Sequence, residues 1–169
     1  FTAALYYIVG YLFMVLACFL VICQVSRNGA NVALEDLAGL HRRSPLLLAT
    51  LLVGIFGLAG IPPLAGFLAK YYVFAAAIQS AGASPDYSWL YWLVGIALLT
   101  SIFALYYYAG VIKMMYFTKD ESPYRIGLNS PIVTVLVICL VGVIFFGLYP
   151  SPVMEMAGNI ASSWGFVPR

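Results

Sequence analysis

Residues 45–79 constrain this chain more than any other stretch. They carry one charge, Lys70, and two adjacent prolines at the centre of Gly60-Ile61-Pro62-Pro63-Leu64-Ala65-Gly66. As one unbroken helix the stretch would be about 52 Å long, far more than the ~30 Å of a hydrocarbon core. Two prolines in a row remove two backbone donors and clash with the preceding turn. Ile61 is also pushed out of the α region by the proline that follows it. A helix laid over this stretch must therefore break at its middle.

The other apolar runs set the environment. Residues 3–25 and 131–149 are free of charge, and residues 89–117 hold only Lys113, near their end. Each is long enough to cross a bilayer. The chain is 64% apolar and 8% charged, with a mean hydropathy of +1.00, against about 25% charge in ordinary soluble domains. That excludes a water-soluble enzyme and a disordered segment. A net charge of +2 without a basic cluster argues against a nucleic-acid partner. The expected fold is all-α and integral to the membrane.

Charge placement selects a topology. With residues 45–79 as one broken crossing, Arg27, Arg42, Arg43, Lys113, Lys119 and Arg125 share one side, and the opposite loop near residues 80–88 holds Asp86 and no basic residue. This is a positive-inside pattern. Two short crossings would erase the bias, with each half only about 16 residues long, at or below the spanning minimum. The expectation is a bundle of four crossings, at about 3–26, 45–79, 88–117 and 131–149, the second discontinuous at Pro62-Pro63. Loops 27–44 and 118–130 are then cytoplasmic. The tail, 150–169, with Pro150, Pro152, Met154, Met156, Trp164 and Phe166, is expected at the interface.

Breaking a helix in lipid frees backbone groups that cost several kcal/mol each. Such a break is tolerated inside a bundle or beside water, and in transporters it marks ion sites. Gly60, Pro62, Pro63 and Gly66 would shape it. Lys70 follows Pro63 by seven residues, far from both ends of its run, where an ammonium costs roughly 3 kcal/mol on insertion scales. A small change in nearby charge can switch such a group between its protonation states, the property a proton relay needs. The alternative is a structural lysine bonded to the carbonyls that the break frees. No carboxylate lies in the apolar runs to pair with it. Candidate hydroxyls for a proton path are Tyr71, Tyr72, Thr100, Ser101, Tyr106, Tyr107 and Tyr108, though the tyrosine run could equally face headgroups.

The remaining polar residues read as ordinary. His41, the only histidine, is expected as an exposed loop residue, and Lys113 as a side chain snorkelling to the interface. Cys18, Cys23 and Cys139 lie in apolar runs without metal-ligand spacing, so neither a disulfide framework nor a metal site is expected. No phosphate loop, dinucleotide fingerprint or nucleophile set is present. A chain that starts at Phe1, without a signal peptide, is expected to be a piece of a longer one.

The segment Glu35-Asp36-Leu37-Ala38-Gly39-Leu40, then Pro45, then Gly57-Leu58-Ala59-Gly60-Ile61-Pro62-Pro63-Leu64-Ala65-Gly66-Phe67-Leu68-Ala69-Lys70-Tyr71-Tyr72, resembles the antiporter-like membrane subunits of respiratory complex I, the N type best. The stretches Tyr6–Gly10–Tyr11 and Leu105-Tyr106-Tyr107-Tyr108 fit the same family. The resemblance runs over nearly the whole chain and covers the family's C-terminal third. It implies one membrane domain, 1–169, from the C-terminal part of a longer subunit of two inverted repeats. It implies that Lys70 matches the proton-transfer lysine after the second break, in the half-channel open to the outer side. By the same resemblance, NADH, flavin, iron–sulfur clusters and quinone sit in other subunits, and this chain holds no cofactor or metal. The partners it implies are membrane lipid and other membrane subunits, with protons the only small substrate. The membrane would be a bacterial plasma membrane or an organellar inner membrane. Two departures concern peripheral contacts: Ala109-Gly110 stand where the family often has a basic residue, and Ala17-Cys18-Phe19 where it often has Gly-Ala-Phe.

Three functions fit the sequence: proton translocation in a redox-driven NADH-quinone oxidoreductase, a related multisubunit cation/proton antiporter or membrane-bound hydrogenase, and a membrane scaffold in which the break serves packing alone.

Overall fold

A computed structural model describes residues 1–26, 33–118 and 125–163. Arg27, Lys119, Trp164 and Phe166 lie outside them. Among the described residues every regular element is helical. They are α1 (Thr2–Val25), a 3-10 turn (Leu34–Leu37), α2 (Leu40–Arg43), α3 (Pro45–Ala59), α4 (Ala65–Ala83), a 3-10 turn (Pro85–Tyr87), α5 (Trp89–Phe117), α6 (Ser130–Leu148) and α7 (Ser151–Ser163). The segments Thr2–Val25, Pro85–Phe117 and Ser130–Leu148 are long and apolar enough to cross a membrane. The apolar helix α3 has 15 residues, about 22 Å, and falls short by itself.

Local chemistry sets the helix ends. Pro45 opens α3 and Pro131 lies in the first turn of α6, where a missing N–H costs nothing. α3 stops because Gly60 takes the left-handed conformation at φ +81°. The Gly60 N–H then bonds the Gly57 carbonyl at 2.9 Å and the Ile61 N–H bonds the Phe56 carbonyl at 3.0 Å. This is a Schellman cap, which glycine adopts without a Cβ penalty. The next helix starts at Ala65, after the prolines, and continues to Ala83, past the expected limit at residue 79.

The contacts of α1 run in one direction along the broken pair. Val25 and Val21 lie in a cluster with Leu47 and Leu51. Gly54 and Gly57 face Met14, Gly10 faces Ala65, and Tyr6 meets Tyr72 edge-on. As α1 is followed backward, α3 and then α4 advance. α6 follows the same course in parallel, with Leu136 in the cluster at the start of α3, Val143 by Gly57 and Gly147 against residues 63–65. The unbroken 29-residue α5 lies beside both halves. Leu98 and Ser101 meet α4 residues, while Val111 and Met115 pack with Leu47 and Leu51.

Three glycines bring backbones together around the break. A Cβ on Gly66 would overlap the Gly57 carbonyl, and one on Gly147 would overlap the Pro63 carbonyl. No other residue allows those approaches.

Candidate functional site

Two prolines and one glycine create the site. A helix leaves its last four carbonyls without intrahelical donors. In α3 these belong to Phe56, Gly57, Leu58 and Ala59, and the Schellman cap satisfies the first two. Had the helix continued, the carbonyls of Leu58 and Ala59 would accept from residues 62 and 63, but both are prolines and have no N–H. The Lys70 Nζ donates to these two carbonyls, at 3.0 Å to Leu58 and 3.3 Å to Ala59. The lysine of α4 thus completes the cap of α3. Each carbonyl left bare would cost about 1–3 kcal/mol.

The α3 C-terminus also carries a partial negative charge, which favours an ammonium. This is the arrangement the structural alternative anticipated, but its surroundings are open on one side. Lys70 is half-buried and lines a cavity of about 270 Å3, together with Ala59, Gly60, Phe67, Tyr71, Phe74, Leu98 and Ser101. The cavity opens to the outside of the chain, and a liquid water occupies about 30 Å3.

The candidate hydroxyls separate into groups. Tyr71 and Ser101 line the Lys70 cavity; the Ser101 hydroxyl donates to its own helix at the Ala97 carbonyl, 2.8 Å away. Tyr72 turns the other way, edge-on to Tyr6 with ring centroids 5.6 Å apart. Thr100 is exposed and likewise bonds Ala97, at 3.0 Å. Tyr106 is 86% exposed and lines a groove with Tyr107 and Lys113. Tyr108 lines a different, mainly apolar groove with Cys18, Leu51 and Leu58. The tyrosine run thus divides between faces and does not gather at Lys70.

Sequence reasoning missed Tyr6 as a participant. Only 1% exposed, its hydroxyl donates to the Phe146 carbonyl on α6. The i+4 donor for that carbonyl would have been residue 150, a proline. The signal was therefore present, as a proline four residues after a helical position and a buried phenol elsewhere, but nothing in the sequence pairs residues so far apart.

His41 differs from its expected state. It is partly buried, its Nδ1 donates to the Met115 carbonyl at 3.1 Å, and its ring stacks on Tyr116 with centroids 5.9 Å apart. The Arg42 Nε–H donates to Nε2 at 3.2 Å, so Nδ1 carries the proton. The cause is α2, which sets the ring against the last turn of α5. Nearby, the buried Arg43 donates to the Asp36 carbonyl at 2.7 Å. Lys113 stands in the groove beside Tyr106. Among the described residues no cluster of His, Cys, Asp or Glu suits a metal ion.

The chain is similar to known proteins. Residues 1–83 match a family model described as the transmembrane region of NADH:quinone oxidoreductase and Mrp antiporters. NADH-quinone oxidoreductase subunit N 2 of Opitutus terrae is 42% identical over 160 residues, covering 94% of this chain and 32% of that protein. Subunit N of Methylobacterium nodulans is 41% identical over 158 residues, covering 93% of this chain and 31% of that one. A chain of respiratory complex I from Thermus thermophilus, solved with bound aureothin, superposes with a TM-score of 0.75 at 32% identity, covering 91% of this chain and 34% of that one. The chain spans about a third of the length of these relatives.

Proposed function

On the premise that this chain belongs to the subunit N family of NADH-quinone oxidoreductases, we propose that it is the C-terminal membrane domain of a proton-translocating subunit and that Lys70 is its proton relay. Redox chemistry with NADH, flavin, iron–sulfur clusters and quinone belongs to other subunits. This chain moves protons alone, among partner membrane subunits and lipid. The membrane is a bacterial plasma membrane, with loops 27–44 and 118–130 on the cytoplasmic side. The chain crosses four times, the second time through α3 and α4 as one discontinuous helix. The one-way order of contacts along α1 and α6 supports that topology, since a hairpin would retrace its path.

The observation that carries the relay is the shape of the Lys70 site, with two carbonyls on one side and an open cavity on the other. An ammonium has three N–H donors. Two hold the carbonyls of Leu58 and Ala59, and the third is left for the cavity. When that proton departs toward water, the neutral amine keeps two N–H groups for the carbonyls and turns its lone pair to the cavity. The half-helix stays capped in both states, so proton transfer does not require the break to be rebuilt. The α3 terminus stabilises the charged form, while removal from water opposes it. The two effects pull in opposite directions, which suits a group that must both take and release a proton. Tyr71 and Ser101 are the hydroxyls placed to organise water there.

The same two bonds favour a second reading, in which Lys70 is a cap and nothing more. Lys70→Arg separates the two, because an arginine keeps the charge and the donors and does not deprotonate in proteins. In the assembled complex, reconstituted in closed vesicles, the relay predicts NADH-driven proton pumping reduced at least tenfold at normal assembly. Wild-type pumping by Lys70→Arg would remove the relay and leave the cap.

A further inference from the structure

We infer that Tyr6 is a positioning residue of the proton-transfer site, its phenol holding the break at the geometry Lys70 requires. The inference rests on the relay reading of Lys70 and extends it to a residue on a different helix. A series of direct contacts carries it. The Tyr6 hydroxyl takes up the Phe146 carbonyl, which Pro150 cannot serve. The next residue, Gly147, lies backbone against backbone on residues 63–65, the connector between the half-helices. The Tyr6 ring meets Tyr72, one position from Tyr71 on the wall of the Lys70 cavity. One side chain thus ties the end of α6 and the second turn of α4 to α1, and reaches the connector through Gly147.

The fold meets the same problem twice with the same device. Prolines orphan the carbonyls of Leu58, Ala59 and Phe146, and a side chain from another helix supplies each missing donor. Lys70 can span its two carbonyls only if α4 is held in register with the end of α3. Gly147 against the connector, held by Tyr6, is what fixes that register on the α6 side. Phe13 of α1 also packs here, edge-on to the Phe146 ring with centroids 5.1 Å apart, and Met14 shares a cluster with Leu64, but neither offers a donor; the bond to the Phe146 carbonyl comes from Tyr6.

The test uses the full-length subunit in its assembled complex, in closed vesicles, with protons pumped per NADH oxidised as the readout. Tyr6→Phe keeps the ring and its contact with Tyr72 and removes only the donor. The expected result is a coupling ratio cut to half or less, with the KM for quinone unchanged. Placing p-aminophenylalanine at position 6 restores an N–H donor at the same reach, and should restore the ratio. If Tyr6→Phe does not assemble, the amino variant decides, with wild-type coupling supporting the inference. A wild-type ratio in Tyr6→Phe, or a ratio in the amino variant below half of wild type, overturns it. Lys70→Arg is measured alongside. Normal coupling in Tyr6→Phe with loss in Lys70→Arg would sink the role of Tyr6 alone, whereas normal coupling in Lys70→Arg would sink the relay itself.

Discussion

The two halves of the broken pair are built differently. α3 buries seven of its 15 residues, among them Leu47, Leu48, Leu51 and Ile55, in a cluster closed by Val21, Val25, Leu40, Met115 and Leu136. α4 buries four of its 19 residues, Ala65, Gly66, Ala69 and Ala81, and presents Phe67, Tyr71 and Ile78 outward. One half is gripped by large side chains, and the other lies on its neighbours through small ones. Lys70 sits where they meet, with its amine on the packed half and its stem on the open half. The lesson is that an ammonium can be held on a rigid base while one side of its site stays lightly packed, which is what the proposed relay would use.

Substitutions can break or sharpen this contrast. The largest effect is expected at the seam. Gly147→Ala places a methyl on the backbone of residues 63–65. A loss of more than about 4 kcal/mol is expected, the range of severe overpacking and backbone strain, seen as absence of the assembled complex on native gels. Normal assembly would show that the connector yields, and the seam would no longer be the fixed element. Next comes the difference between the halves themselves. Leu47→Ala in the packed half should cost about 2 kcal/mol through its cavity, without a solvent-driven term, since lipid is as apolar as leucine. Phe67→Ala in the open half should change stability by less than about 0.5 kcal/mol. SDS-titrated unfolding of the solubilised subunit measures both, and equal costs would dissolve the contrast. The smallest effect is expected at Gly110, where an added Cβ meets nothing within 4 Å. Gly110→Ala should be neutral or stabilise α5 by up to about 1 kcal/mol. Failure to assemble would instead mark that face of α5 as a contact with the rest of the protein.

Legibility in the sequence followed the physics. The double proline, the glycine before it and the charge after it each act locally, and the break at residues 60–64 lies where those rules put it. The carbonyls around Lys70 were also foreseeable, because an orphaned acceptor and a solitary ammonium in an apolar run have few other partners. Rotation about the helix axis was not legible. A helix apolar on all sides gives no periodicity, so nothing in the run Tyr106-Tyr107-Tyr108 tells which ring faces inward. Structure separates them, with Tyr106 outward and Tyr108 toward Cys18 and Leu51. The Tyr6–Phe146 bond and the contact of Gly147 with residues 63–65 join segments far apart in the chain, pairings on which local rules are silent. His41 was misjudged for a related reason. A short polar loop reads as exposed until one knows that a helix end with free carbonyls passes beside it.

The continuity of α5 constrains how the fracture beside it can work. A rod of 29 residues, about 43 Å long, touches both fragments and acts on them as a splint acts on a broken bone. Packed against both, such a rod resists their telescoping together or pulling apart. Under the proposed relay, Lys70 would therefore work across a gap whose span a neighbouring rod sets.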